Sequence, residues 1–153
     1  MPITMEQLKQ LVDACEYRYY LDPNRPTLLF GVRGVNGQYQ CLVKLDLEGR
    51  FVQLRTVSYH YAPSTAPHLQ KFLELLGHLN FQMRFVKFGW DPSDGEIVVY
   101  GDAWIDDGTL TVGQMRTMIN NFLSVLDLNF ARIKKVLETG TDPSEEGSGV
   151  TEL

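Results

Sequence analysis

The side chains that could do chemistry are few and scattered. There are three histidines, His60, His68 and His78. His68 and His78 stand ten residues apart on one expected helix, about 1000° of rotation, so they point apart. His60 falls on an expected strand with no base, nucleophile or ligand partner in view, which reads as a solvated strand histidine. Asp91, Asp94 and Glu96 superficially suggest calcium. An EF-hand spreads its ligands over about 12 residues, whereas this group ends at Glu96 and contains Pro92, so it reads as a hairpin turn. Asp102, Asp106 and Asp107 form a second acidic group beside an expected helix N-terminus, where the helix dipole alone favours carboxylates. Paired carboxylates can hold Mg²⁺ or hydrolyse glycosides, but both need a cleft and positioning groups. No HExxH, GxSxG, P-loop or GxGxxG occurs. The sequence therefore predicts no catalytic, cofactor-binding or metal residues. An enzyme of another type would have to use Asp102, Asp106 or His60.

The two cysteines extend apolar patterns. Cys15 continues the helical series Leu8, Leu11, Val12, and Cys41 continues the alternating series Tyr39, Val43, Leu45. Both read as small buried hydrophobes, neither clustered for zinc nor arranged as a disulfide framework. A reducing cytoplasm is the expected compartment. The N-terminus lacks the basic and apolar regions of a signal peptide, and no apolar run reaches 18 residues, so no membrane span is expected. With net charge −5 and a pI near 5.1, the surface repels a phosphate backbone. The only basic pair, Lys134-Lys135, sits near the end of the last helix, where cations suit the dipole, so no nucleic-acid partner is expected.

The elements behind these residues are legible from periodicity and punctuation. Thr4 and Gln7 form a capping box, and Leu8, Leu11, Val12 and Cys15 line one helical stripe. Asp22 to Pro26 is a loop. Three strands follow, over Thr27 to Arg33, Tyr39 to Leu47 and Phe51 to Tyr61, joined by Gly34-Val35-Asn36-Gly37 and Glu48-Gly49. Ser64 or Thr65 caps a second helix with Pro67 in its first turn. Its apolar residues, Leu69 to Leu79, spread over an arc of roughly 160°, wider than one buried stripe requires. Leu75 lies at the margin of that arc and becomes a candidate dimer contact. Strands over Met83 to Trp90 and Glu96 to Trp104 flank the turn Asp91-Pro92-Ser93-Asp94-Gly95. A second capping box, Thr111 and Gln114, opens the last long helix; Ile133, Val136 and Leu137 continue it or begin a successor after Asn129.

The expected fold is α+β, in the order α-β-β-β-α-β-β-α, with one five-stranded, mainly antiparallel sheet carrying helices. Residues 1–139 form the single domain and 140–153 an acidic tail. The final Thr151-Glu152-Leu153 matches the simple PDZ-ligand pattern, which chance supplies often. Tyr59, Tyr61, Trp90 and Trp104 lie on strands or near their ends. Any of them on a helix-free face would form a binding patch, and these residues with Leu75 are the candidate partner or dimer contacts.

The stretch Phe88-Gly89-Trp90-Asp91-Pro92-Ser93-Asp94-Gly95-Glu96-Ile97, followed by Ile105-Asp106-Asp107-Gly108-Thr109-Leu110-Thr111, resembles the YbjN-like domain family. That bacterial family has the architecture of type III secretion chaperones. In it, a hairpin with an acidic glycine turn similarly precedes an acidic-glycine segment that opens the last helix. The likeness in element order covers roughly Thr4 to Leu137. It implies a chaperone-like or regulatory module and transfers no catalytic residues. The expectation is therefore a non-enzymatic interaction module, a homodimer that holds a segment of an unidentified protein partner. The alternatives are a small-ligand sensor with a closed apolar cavity and an enzyme with convergent carboxylates.

Overall fold

A computed structural model describes residues 2–106 and 108–146; Asp107 and Thr151-Glu152-Leu153 lie outside the described residues. Helix α1 spans Met5–Ala14 and opens with the expected Thr4/Gln7 box, in which each side chain satisfies the other's backbone N–H. Strands β1 (Tyr20–Leu21), β2 (Thr27–Arg33), β3 (Gln38–Asp46), β4 (Phe51–Val57) and β5 (His60–Tyr61) follow. Then come α2 (Leu69–Gln82), β6 (Val86–Trp90), β7 (Glu96–Trp104), α3 (Val112–Thr139) and the short α4 (Pro143–Glu146).

Among the described residues the sheet has seven strands rather than five, all antiparallel. Two local causes account for the difference. Ser58 takes φ 56°, which interrupts the expected third strand. Before the break Arg55 pairs with Tyr100, and after it His60 pairs with Ile97, so the register slips by two residues. The other added strand forms where Tyr20 and Leu21 pair with Leu29 and Leu28. Ile97 also pairs with Trp90, and Tyr100 with Lys87, so β4 and β5 run along one edge of β7 and β6 along the other.

Alternation along the strands sends Leu28, Phe30, Cys41, Val43, Val52, Leu54, Ile97 and Val99 into one core with Leu8, Val12, Phe72, Met115, Ile119 and Phe122 from the helices. Burial pushes the Cys41 thiol up to about 12 and raises that of half-buried Cys15. Helix α3 is continuous through Asn129, whose buried amide donates to the Val125 carbonyl at 3.0 Å. Helix α2 starts later than expected, at Leu69. Residues 63–68 are spent on turns, with Ala66 N–H donating to Pro63 and Leu69 N–H to Ala66, and the N-cap His68 makes no side-chain bond. Neither Ser64 nor Thr65 caps it. Gly140, at φ 74°, ends α3, and beyond it Asp142 bonds to Arg132 of α3 and Glu145 to Lys71 of α2.

Candidate interaction surface

All three long helices lie on one side of the sheet or at its edge. The other face carries the alternate residues of every strand. One row crosses the whole sheet in direct register: Tyr20, Leu29, Leu42, Arg55, Tyr100 and Lys87. The neighbouring row towards one end holds Lys44, Gln53 and Asp102, and the one beyond it Asp46, Phe51 and Trp104. The apolar centre is the pair Leu29–Leu42, with exposed Val57 nearby. Polar groups around it are matched: Lys44 pairs with Asp46 at 3.2 Å, Gln53 Nε2 donates to Asp102 at 2.7 Å, and Arg55 stands 3.9 Å from Glu96. Glu96 also accepts from the Ser58 N–H at 3.1 Å, which holds the strand break in place. Two shallow hollows lie on this face. One, of about 530 Å³, runs from the Asp22–Pro26 loop over Leu29 and Leu42 to Arg55; the other, of about 420 Å³, runs from Gln53 and Arg55 to Tyr100 and Pro92.

The candidate residues separate cleanly in space. Trp104 is 70% exposed at the end of the open face, edge-on to Phe51 with centroids 5.1 Å apart, and Tyr61 is 54% exposed on the same side. Tyr59 points the other way. It is buried, its hydroxyl donates to the Leu126 carbonyl at 2.6 Å, and its phenol is raised by burial. Trp90 is half-buried, with Nε1 donating to the Ala62 carbonyl at 2.7 Å. Leu75 is only 4% exposed, so the expectation of a wet leucine at the arc margin fails: that flank of α2 faces α3 and the returning segment after Gly140. One exposed stripe of α2 carries Leu73, Gly77 and Phe81, and a Cβ on Gly77 would meet nothing within 4 Å.

The residues of the enzyme reading are not brought together. Asp102 lies on the open face and is bonded to Gln53. Asp106 sits in the turn after β7, its N–H donating to the Arg50 carbonyl. His60 points to the helical side, where its ring stacks on Phe130 at 4.3 Å and Nε2 lies 3.0 Å from that residue's carbonyl. Burial holds the His60 imidazole below its ordinary value. His78 is exposed on α2, and His68 packs beside Gly140. Among the described residues no three His, Cys, Asp or Glu side chains converge, and no helix is long and apolar enough to cross a membrane. An apolar hollow of about 320 Å³ lies between α1 and residues 108–112, open to solvent rather than closed. What sequence reasoning missed is Leu29 and Leu42; the available signal was an apolar residue at a position whose strand neighbours of the same parity are polar.

The family model YbjN, described as "Putative bacterial sensory transduction regulator", matches residues 4–135. No curated protein matches the sequence. The crystal structure of YbjN, "a putative transcription regulator from E. coli", superposes with TM-score 0.66 at 13% identity, over 89% of this chain and 93% of that one. The HopA1–SchA chaperone–effector complex contributes a similar chain with TM-score 0.54 at 16% identity, over 82% of this chain and 95% of that one. A chain of the ExsC–ExsE complex has TM-score 0.55 at 14% identity, over 87% and 97%. At such identities these likenesses establish the fold.

Proposed function

The chain belongs to the YbjN family, and we propose that it is a non-enzymatic module that binds a segment of a protein partner on the open face of its sheet. The directly paired Leu29 and Leu42, set among polar residues on a face that no helix covers, carry this reading. A cross-strand pair adds to sheet stability whether or not it is wet, but its remaining exposure beside exposed Val57 forms an apolar patch, and such patches mark binding sites. That the structural neighbours include a chaperone bound to an effector supports it. Two unpaired thiols favour a reducing cytoplasm.

The experiment is comparative capture. Wild-type chain and the double variant Leu29→Asp/Leu42→Asp are immobilised, exposed to lysate of the native cell, and their retained proteins identified. Two carboxylates directly opposite cost some sheet stability, so circular dichroism first establishes that the variant is folded, and the uncharged pair Leu29→Thr/Leu42→Thr, which keeps β propensity, is captured beside it. The reading requires a protein retained by the wild type and lost at least about ten-fold in the variant, the loss expected for an interface core worth about 1.4 kcal/mol. Identical retained sets would remove it.

We also propose that the chain pairs with a second copy through the outer stripe of α2. Phe81 is 82% exposed, and Gly77, one helical turn away, leaves a gap that a partner's ring can enter. Light scattering at micromolar concentration decides it, because a mass near 17.5 kDa refutes the pair. Phe81→Glu should reduce a measured dimer to that mass.

A further inference from the structure

A cluster of charged side chains ties the segment after Gly140 to α2 and α3. Arg132, on α3, donates from Nε and Nη2 to the two carboxylate oxygens of Asp142, both at 2.9 Å. Nη2 also reaches Ser144 Oγ at 3.0 Å, and the Ser144 N–H donates back to Asp142 at 3.0 Å. Three residues on, Glu145 accepts from Lys71 Nζ of α2 at 3.1 Å. The two carboxylates thus bridge α2 and α3 across a hollow of about 230 Å³ walled by Leu75, His78 and Glu74. The family model matches residues 4–135, and the bridging segment follows that stretch.

We propose that this groove between α2 and α3 is a second docking site, for an acidic segment of a partner protein, and that residues 141–145 keep it closed by presenting the same chemistry in cis. The proposal rests on the interaction-module reading above. Charge complementarity argues for it. The Arg132 side chain is only 19% exposed and Asp142 only 8%, a desolvated bidentate pair. A guanidinium left there without a carboxylate is strongly unfavourable, so whatever displaces the segment must bring its own acid. Burial alone would raise the Asp142 carboxyl, yet the bonds from Arg132 and the Ser144 N–H hold it below the usual range. The segment is also releasable by construction. Helix α4 has four residues, too short to be stable by itself, and the Lys71–Glu145 pair is solvent-exposed and screened. Closure therefore rests mainly on the bonds of Arg132 to Asp142 and Ser144, so the segment can open locally without global unfolding.

The test uses the full chain and a fluorescein-labelled peptide of sequence TDPSEE, the residues 141–146 supplied in trans. In the variant Asp142→Asn/Glu145→Gln the cis segment can no longer compete. Anisotropy titration should show saturable binding at least about ten-fold tighter than to the wild type, because occupancy by the cis segment lowers apparent affinity in proportion. Adding Arg132→Gln to that variant should abolish binding, and adding Leu29→Asp/Leu42→Asp should leave it unchanged, which separates this site from the open face. No saturable binding, equal binding to the wild type, or insensitivity to Arg132→Gln overturns the proposal. A variant that instead doubles its mass in light scattering also overturns it, in favour of a second copy as occupant. Hydrogen exchange on the wild type gives an independent reading that needs no variant. The amides of Thr141, Asp142, Ser144 and Glu145 should exchange well before those of α2 and α3; exchange only together with global unfolding shows a fixed structural clasp and removes the proposal.

Discussion

The side chain of Asn80 binds both backbone groups of Phe88: its Nδ2 donates to the carbonyl at 2.9 Å and its Oδ1 accepts from the N–H at 2.8 Å. An amide placed this way does for edge strand β6 what a neighbouring strand would do. Phe88 sits midway along that strand, and Lys87 Nζ reinforces the junction by donating to the Asn80 and Met83 carbonyls at the end of α2. The open end of the sheet is thereby closed to pairing with another chain.

Asn80→Ala should lower stability by about 1–3 kcal/mol, because it leaves a donor and an acceptor of Phe88 without partners in a half-buried place. The midpoint of urea unfolding should fall accordingly. Freed backbone groups also invite edge-to-edge pairing, so the variant should associate beyond the mass of the wild type, in a concentration-dependent way. A variant with unchanged midpoint and unchanged mass would show that water replaces the amide without cost.

Leu75 and Phe81 should respond in opposite ways to the same substitution. Leu75 is buried within one chain, so Leu75→Glu places an unpaired charge in the core and should unfold the protein, while Leu75→Ala should cost about 2–5 kcal/mol. Phe81 touches solvent, so Phe81→Glu should leave the melting midpoint of a monomer nearly unchanged and act only on association. Circular dichroism and light scattering on the two variants separate these outcomes. A folded Leu75→Glu chain would contradict the burial.

His60 should give the protein a pH-dependent stability. Its imidazole is half-buried against Phe130 and Tyr59; desolvation lowers its proton affinity most, the Phe130 carbonyl raises it, Lys134 lowers and Glu138 raises it, and the balance lies below the ordinary 6.5. The unfolded chain therefore binds the proton more readily than the folded one. The contribution is complete above pH 6.5 and is lost as pH falls from there towards the lowered folded value. Urea midpoints measured from pH 8 to pH 5 should decline in the wild type, and His60→Gln should flatten that slope. Equal slopes would place the titrating group elsewhere.

Much of this fold was legible because its signals are local. Both capping boxes, the alternation of β3 and the acidic hairpin turn depend on residues within a few positions of one another. The breaks were not. Nothing in Val57-Ser58-Tyr59 marks a left-handed residue; the turn exists because Glu96, 38 positions away, accepts from the Ser58 N–H. Leu75 illustrates the same limit. Helical periodicity placed it on a margin but could not say that residues following Gly140 return to that flank. The open face was hidden for a different reason. Leu42 breaks an otherwise polar alternation with Gln40, Lys44 and Asp46, and its meaning emerges only once register sets it beside Leu29.

Asp127 should prove to be the anchor of the β2–β3 turn. From α3 its carboxylate accepts the Val35 N–H at 2.9 Å, the Asn36 N–H at 2.8 Å and the Tyr39 hydroxyl at 2.6 Å. These bonds hold its carboxyl below the ordinary 3.8; the Tyr39 hydroxyl is the largest cause. Asp127→Asn keeps the shape but replaces one acceptor oxygen with an NH₂ group. The amide oxygen can still serve two donors, while Nδ2 must face a third, so the change should cost about 1–3 kcal/mol. Tyr39 supplies a local readout. Its phenol is raised first by burial and then by the bond and charge of Asp127, so the variant should bring it down, measurable by spectrophotometric titration. Gly34 tests the same anchor from the other side, because a Cβ there would run into the Asp127 carboxylate. Gly34→Ala should break the clamp sterically, and once the clamp is broken, removing the carboxylate has less to lose. The double variant Gly34→Ala/Asp127→Ala should therefore be destabilised by less than the sum of its parts, by at least about 0.5 kcal/mol. Strict additivity would mean that the turn and the helix are held by other contacts.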